Sequence, residues 1–102
     1  VYPRRSWEAS AERISALDSL TREAREMKRF VFAGATVTDL DKQGRVLVPT
    51  DLTRHASLGR DVAVVGVDDH IEIWDSERWD QINARGEEHL AEAGYSLSDL
   101  GI

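Results

Sequence analysis

Apolar residues recur every three or four positions in three parts of the chain, and this spacing predicts three amphipathic helices. The apolar positions are Trp7, Ile14 and Leu17 in the first helix, Ala24, Met27 and Val31 in the second, and Trp79, Ile82 and Leu90 in the third. Residues that cap helix ends predict the limits of these helices. The predicted N-caps are Ser6, Thr21 and Ser76, and the predicted terminating glycines are Gly34 and Gly94.

Strand patterns occupy the middle of the chain. Residues 36–40 and 45–48 are predicted to form two short strands around the turn Asp41–Gly44, which together make a β-hairpin. Gly44 supplies the positive φ that such a turn usually requires. The side chain of Asp41 can cap the turn through its own oxygens.

The remaining elements follow in order. A short helix is predicted from Thr50, its N-cap, to about Ser57. The apolar run 62–67 and the alternating stretch 71–74 predict two further strands, joined by a turn at residues 68–70. The tail 95–102 is expected to be partly ordered at best, unless its apolar side chains dock on a neighbour. These side chains are Tyr95, Leu97 and Leu100.

Composition narrows the possible functions. The 102 residues suit one small domain or two very small repeats, and the absence of cysteine excludes disulfides and thiolate metal sites. No apolar run approaches the length of about 18 residues that predicts a membrane span, so we expect no membrane partner. The net charge is −6, with +2 in residues 1–34 and −8 in the rest. Contact with DNA must therefore be local, because the overall field repels phosphate.

The tip of the predicted hairpin carries the candidate DNA contacts. Lys42 and Arg45 lie at or beside the turn, where two cations can meet a nucleic-acid backbone or groove. Arg45 could reach a guanine edge or a phosphate, or could instead pair with Asp41 or Asp39 inside the chain. If it contacts DNA, Asp41 could orient it. Lys42 suits a phosphate contact, although a solvated turn lysine is an equal alternative.

Other polar residues offer weaker candidates. Gln43 could touch a base, but turn tips are polar in any case, and Arg54 could support an anion site or be an ordinary surface residue. The cations of the second helix could bind phosphate, but their mixed-sign i,i+4 neighbours favour a solvated or subunit-contacting face. These cations are Arg22, Arg25, Lys28 and Arg29.

Catalytic chemistry has little support in the sequence. Acids stand beside histidine at Asp68–His70 and at Glu87–His89. Adjacent residues on a helix do not face one site, and aspartate is expected on a turn for conformational reasons. Neither a zinc-protease motif, a glycine-rich phosphate loop nor a nucleophile motif is present. We therefore expect no enzyme activity, no cofactor, no metal and no small-molecule substrate.

A short internal repeat joins the two ends of the chain. Residues 1–8 and 73–80 share a β-branched residue, an aromatic residue, and then Trp followed by an acid, at an offset of 72 residues. In the second copy a hairpin, a short helix and another strand precede this segment. We therefore expect the chain to begin at the last strand of a first repeat, as part of a longer protein.

Several stretches of the chain resemble the MraZ family, a group of bacterial regulators. The resemblance is carried by Phe32–Ala35, Asp41–Pro49, and Ile71–Trp74 with Trp79, while Val1–Pro3 with Trp7 resembles the end of the family's first repeat. It covers nearly the whole chain. The DxxGR hairpin is shared more widely with AbrB-type regulators and MazE-like antitoxins, but the two-repeat layout with intervening helices is similar to MraZ in particular.

The resemblance implies an α+β fold, an AbrB-like swapped-hairpin β-barrel built from tandem repeats with peripheral helices. Residues 1–34 would be the end of the first repeat plus linking helices, 35–94 the second repeat, and 95–102 a tail. The first repeat's hairpin is not in this sequence.

The resemblance also implies a function. It implies a transcriptional regulator that binds repeated promoter boxes of the division and cell-wall gene cluster, as a ring-like homo-oligomer in the cytoplasm and nucleoid. Asp41 and Arg45 match the family's DNA-binding motif, with Lys42 beside them. The alternative is an antitoxin-type protein-interaction module whose acidic C-terminal part engages a partner.

Overall fold

Two helices form the N-terminal part of the protein. A computed structural model describes residues 1–101, and its first elements are α1 (Arg4–Ser15) and α2 (Arg22–Gly34). Trp7 of α1 packs edge-on against Phe32 of α2, with 6.0 Å between ring centroids. Trp7 belongs to the predicted apolar face of the first helix, whereas Phe32 is one residue beyond the predicted position Val31 of the second. Neither helix contains a buried residue.

Thr21 caps α2 as predicted, because its Oγ1 accepts a 3.2 Å hydrogen bond from the amide of Ala24. The basic face of α2 is partly used to hold the turn before the helix. Arg25 donates to the carbonyl of Ser19 at 2.8 Å, and Lys28 donates to the Ser19 hydroxyl at 2.6 Å. These two cations therefore stabilise the connection between the helices.

One predicted limit is wrong in each of the first two helices. The first helix begins at Arg4 after Pro3, so that Ser6 lies inside the first turn instead of capping it. Proline lacks an amide hydrogen and fixes φ, which suits the entry to a helix. Gly34 is the last residue of α2, and the chain leaves the helix at Ala35 in an extended conformation (ψ 137°) without a left-handed glycine.

A β-hairpin and a long helix form the C-terminal part. Strands β1 (Val62–Val67) and β2 (His70–Asp75) pair antiparallel, from Val62 opposite Asp75 to Val67 opposite His70. Both predicted strands are confirmed, except that His70 begins β2 instead of belonging to the turn. The loop residue Asp68 adopts a positive φ of 53°, a conformation that aspartate tolerates better than most residues.

Helix α4 (Ser76–Glu92) follows β2 directly and packs on both strands. Its N-cap is Asp75 instead of the predicted Ser76, since the Asp75 side chain accepts a hydrogen bond from the amide of Arg78. Gly94 follows the helix with a φ of 80°, as its predicted terminating role requires. Trp74 of β2 contacts Trp79 of α4, with ring centroids 5.9 Å apart.

The short helix α3 spans Thr50–His55. It ends before Ser57, and its N-cap is Pro49 instead of Thr50, because the Pro49 carbonyl accepts the amide of Thr53 at 3.0 Å. In the tail, a 3-10 turn covers Ser98–Leu100. Ile102, the last residue of the predicted tail, lies outside the described residues.

The strands predicted at 36–40 and 45–48 are not formed. Only the turn between them is present, and the flanking residues have no regular secondary structure. Val37 is 69% exposed and Leu47 is 83% exposed. An isolated two-stranded ribbon without a packed face is marginal in water, and no third strand reaches this segment within residues 1–101. The prediction of these two strands is therefore wrong, because a strand pattern gives a stable hairpin only where another element packs on its apolar face.

Each copy of the predicted internal repeat begins a helix. The N-caps Pro3 and Asp75 are 72 residues apart, the offset of the repeat. Val1 lies against β2, where Val1 and Ile71 exchange two backbone hydrogen bonds, the pattern of an antiparallel pair. The mixed helix and strand composition of the fold is confirmed, while the repeat and barrel architecture stay predictions.

The structure is unusually open. Its radius of gyration is 16.9 Å, compared with roughly 13 Å for a compact domain of this length. Among residues 1–101, no side chain reaches full burial. No helix within the same residues is both long and apolar enough to cross a membrane. The apolar faces of this chain are therefore only partly covered.

Candidate nucleic-acid interface

Residues 41–45, here called the basic loop, form a closed turn. Asp41 and Arg45 are paired through their backbones, and residues 42–44 form the three-residue loop between them. The amide of Gly44 donates to the carbonyl of Asp41 at 3.0 Å, and the amide of Asp41 donates to the carbonyl of Arg45 at 2.9 Å. Gly44 has a φ of 77°. This pattern is typical of a turn followed by one left-handed residue, where glycine is favoured. The predicted turn is confirmed although its flanking strands are not.

The carboxylate of Asp41 organises the basic loop. Its Oδ1 accepts hydrogen bonds from the amides of Gln43 (2.9 Å) and Arg45 (2.8 Å), and its Oδ2 accepts one from Nε of Arg45 at 2.8 Å. The backbone amide of Arg45 is the largest cause of a lowered Asp41 pKa, followed among the favourable contacts by the Arg45 side chain. Asp41 therefore stays charged at neutral pH and keeps the loop in one conformation.

Among the contacts of residues 1–101, the guanidinium of Arg45 is held on one edge. Nε donates to Asp41, and Nη2 donates to Oε1 of Gln43 at 3.3 Å. Nε and the facing hydrogen of Nη2 form one edge of the planar group, so that the end formed by Nη1 and the second Nη2 hydrogen remains available. The side chain is 75% exposed. Pairing with Asp41 and reaching outwards are therefore compatible, and Asp41, not Asp39, is the partner.

The two other predicted site residues, Lys42 and Arg54, are not part of the contacts among Asp41, Gln43 and Arg45. Lys42 follows Asp41 in the basic loop and is exposed. Arg54 lies in the last turn of α3. Within residues 1–101, no hydrogen bond or ion pair joins its side chain to the basic loop. The structure thus brings Asp41, Gln43 and Arg45 together, leaves Lys42 beside them, and places Arg54 on a separate element.

A second polar cluster joins Asp69 and His70, which the sequence analysis placed on a turn, to Glu72 and Tyr2, which it did not connect with them. His70 Nδ1 lies 2.8 Å from Asp69 Oδ1, and Nε2 lies 3.5 Å from Glu72 Oε2. The ring stacks on Tyr2 at a centroid distance of 4.8 Å. Asp69 and then Glu72 raise the pKa of His70. The spacing i,i+2 on a strand places His70 and Glu72 on one face, and this signal could have revealed the cluster.

The cluster fastens the N-terminal segment to β2. Glu72 also accepts a 2.9 Å hydrogen bond from Nε1 of Trp74, which is the largest cause of its lowered pKa. The ring of Tyr2 covers one face of the His70 imidazole. Within residues 1–101, no group of three histidine or acidic side chains is arranged to hold a metal ion.

Comparison with known proteins identifies the family. A sequence model described as "MraZ protein, putative antitoxin-like" matches residues 31–96. The chain is 42% identical over all its residues to "Transcriptional regulator MraZ" of Desulfitobacterium hafniense (strain DSM 10664 / DCB-2), and covers 71% of that protein. This chain belongs to the MraZ family.

Two further MraZ relatives are similar to this chain over all or nearly all of its residues. The chain is 38% identical over all 102 residues to "Transcriptional regulator MraZ" of Heliobacterium modesticaldum (strain ATCC 51547 / Ice1), covering 71% of it. It is 43% identical over 98 residues to the protein of the same name from Thermomicrobium roseum (strain ATCC 27502 / DSM 5159 / P-2), covering 66% of that protein. The region matched by the MraZ model includes the basic loop, β1, β2 and α4.

Proposed function

We propose that this chain is a sequence-specific DNA-binding transcriptional regulator, acting as a repressor of the division and cell-wall gene cluster. The observation that carries the proposal is the free end of the Arg45 guanidinium, fixed by Asp41, in a family whose relatives are named transcriptional regulators. The protein acts in the cytoplasm, associated with the nucleoid.

Arg45 supplies the principal contact. An arginine with its outer end free can donate two parallel hydrogen bonds to O6 and N7 of guanine in the major groove, or to a phosphate. Asp41 orients it, so that less side-chain freedom is lost on binding. Lys42 contacts the phosphate backbone as a flexible point charge, and Gln43 completes the polar surface of the loop. Arg54, which has no hydrogen bond or ion pair to the basic loop within residues 1–101, is a candidate for a separate phosphate contact from α3.

Affinity arises from several weak contacts acting together. One basic loop on a chain of net charge −6 binds DNA weakly. A ring-like homo-oligomer presents several loops to direct repeats in a promoter, and linked contacts multiply their effect. The acidic body at the same time limits binding to arbitrary DNA.

The exposed surface supports assembly. The accessible area is 8863 Å², whereas a compact monomer of this mass exposes roughly 5,800 Å². Phe30 is 66% exposed and Leu20 is 86% exposed, and apolar surface of this extent is typical of subunit contacts. Analytical ultracentrifugation tests this point: a mass that is a multiple of 11.5 kDa is expected, and a monomer at all concentrations would contradict the ring.

Mobility-shift titration at fixed salt tests the DNA contact. The probe is a duplex selected by the native chain from a randomised library, compared with a shuffled duplex of the same composition. Arg45→Ala is expected to weaken binding to the selected duplex by roughly 1–3 kcal/mol. Arg85→Ala on α4, which removes the same charge elsewhere, is the matched control. Failure to select any duplex, or equal affinity for native and Arg45→Ala chains, contradicts the proposal.

Salt dependence tests the role of Lys42. Lys42→Ala is expected to make the slope of log affinity against log salt shallower by roughly one unit, because one phosphate contact is lost. Its effect on the selected and shuffled duplexes should be equal. An unchanged slope means that Lys42 is a solvated turn residue.

A second candidate function is an antitoxin-type interaction module. It is favoured by the exposed apolar side chains of the tail, where Tyr95 is 69% and Leu100 is 70% exposed, and by the antitoxin-like description of the matched family. Removal of residues 95–102 discriminates. Loss of binding to a partner protein, with DNA binding and assembly retained, would favour this second function.

A further inference from the structure

Gln43 holds the second point on the guanidinium of Arg45. Its Oε1 accepts from Nη2 at 3.3 Å, beside the 2.8 Å bond from Nε to Asp41. We propose that Gln43 is a positioning residue that acts on DNA through Arg45. It closes the Nε–Nη2 edge, so that Arg45 approaches DNA only with its outer end. This inference rests on the proposed function and names the residue that makes the Arg45 contact sequence-selective.

One hydrogen bond does not determine the direction of a planar group. With Asp41 alone, the guanidinium can turn about the line between Nε and Oδ2, and can meet a phosphate at many angles. A second acceptor on Nη2 fixes the plane, because two points on one edge leave no such rotation. A base edge accepts two hydrogen bonds only from a correctly aligned plane, whereas a phosphate accepts from many directions. Gln43 therefore favours base contact over phosphate contact.

The geometry also argues against Gln43 reading a base itself. A glutamine that recognises adenine uses its carbonyl and its amide together, the first accepting from N6 and the second donating to N7. The carbonyl oxygen of Gln43 is directed to Arg45. Its backbone amide is bound to Oδ1 of Asp41 at 2.9 Å, which ties the residue to the basic loop at a second place.

Two substitutions separate the possible roles. Gln43→Met keeps the length of the side chain but removes the acceptor. Gln43→Glu keeps an acceptor for Nη2 and adds a charge that repels phosphate. Residue 43 is exposed on a turn, so that neither change disturbs packing. The urea midpoint of each variant, compared with the native chain, confirms that the fold is intact.

The measurement is the ratio of affinities for the selected and shuffled duplexes, with the 102-residue chain throughout. Gln43→Met is expected to lower this ratio about three- to tenfold, the effect of one hydrogen bond, with little change in binding to shuffled DNA. Gln43→Glu is expected to weaken both complexes but to keep the ratio. A purely structural role would leave the ratio unchanged in both variants.

The contrary outcomes are distinct. If both variants change the preferred base at one position, Gln43 reads that base directly and the positioning role is wrong. If neither changes the ratio, Gln43 is an ordinary turn residue and the inference is wrong. In either case Arg45→Ala still reports on the proposed function, because loss of selective binding in that variant upholds it independently of Gln43.

Discussion

The amide of Gly59 donates a 2.9 Å hydrogen bond to Oδ1 of Asp75, and a Cβ placed on Gly59 would lie 2.9 Å from the same oxygen. The second oxygen of Asp75 accepts from the amide of Arg78 and caps α4. One carboxylate thus connects the turn before β1 to the junction of β2 and α4. A Cβ at position 59 would displace the Asp75 carboxylate, whereas the φ of Gly59 is not positive and places no demand on the residue type.

Gly59→Ala is expected to lower the free energy of unfolding by about 1–2 kcal/mol, because the Asp75 side chain must leave its hydrogen bonds. Urea unfolding measures the change. Gly86→Ala is the matched control, since nothing lies within 4 Å of a Cβ at that helical position. It is expected to raise the free energy of unfolding by about 0.5–1 kcal/mol. Equal midpoints for native and Gly59→Ala chains would contradict the close contact.

Asp75→Ala is expected to cost about 1–2 kcal/mol through loss of the helix cap and of the Gly59 bond. The double variant with Gly59→Ala should cost less than the sum of the two single changes, because both remove the same interaction. Asp75→Asn, which keeps one acceptor, should be milder than Asp75→Ala. Strict additivity of the first two changes would show that Gly59 and Asp75 act independently.

The pKa of Asp41 should be below its ordinary value of 3.8. A carboxylate whose pKa is lowered in the folded state stabilises the folded loop. This contribution is fully present at pH values above the ordinary pKa and is lost as the pH falls through the lowered pKa. NMR titration of the Asp41 carboxyl carbon measures the midpoint. In Arg45→Ala the midpoint should stay below 3.8, because the backbone amide of residue 45, the largest cause, remains. A return to the ordinary value would assign the effect to the side chain.

The pKa of His70 should be above its ordinary value of 6.5. A histidine whose pKa is raised in the folded state contributes to the stability of the fold. This contribution is fully present at pH values below the ordinary pKa and is lost as the pH rises through the raised pKa. The stacking of Tyr2 on His70 should weaken over the same range, as observed through the ring resonances of both residues. Asp69→Asn should lower the His70 midpoint more than Glu72→Gln does, because Asp69 is the larger cause. The reverse order would contradict the geometry.

Local signals account for much of the fold. The apolar run that became β1, the alternation in β2 and the terminating role of Gly94 were predicted from short-range patterns. Helix starts were less predictable. Ser6, Thr50 and Ser76 all have suitable side chains, yet Pro3, Pro49 and Asp75 hold the N-cap positions. The first helix begins three residues earlier than predicted and the other two begin one residue earlier. Proline suits the entry to the first two helices, and the Asp75 side chain accepts the amide of Arg78 at the start of the third.

The sequence by itself determined the elements that depend on neighbours along the chain. These include the tight turn with its left-handed Gly44, the hairpin of β1 and β2, and the identity of the charged residues on the basic loop. Such features need only backbone sterics and contacts between nearby residues, which the residue types specify directly.

Tertiary structure decided what depends on distant partners. Strands at 36–40 and 45–48 need a packed face from another segment, such as α4 supplies to β1 and β2. Val37 and Leu47 remain exposed, so no such face covers them within residues 1–101. The stacking of Tyr2 on His70 and the carboxylate shared by Gly59 and α4 join segments that are far apart in the chain, so they depend on how those segments are oriented in space. Direction and distance, rather than residue type, determine which of these polar groups meet.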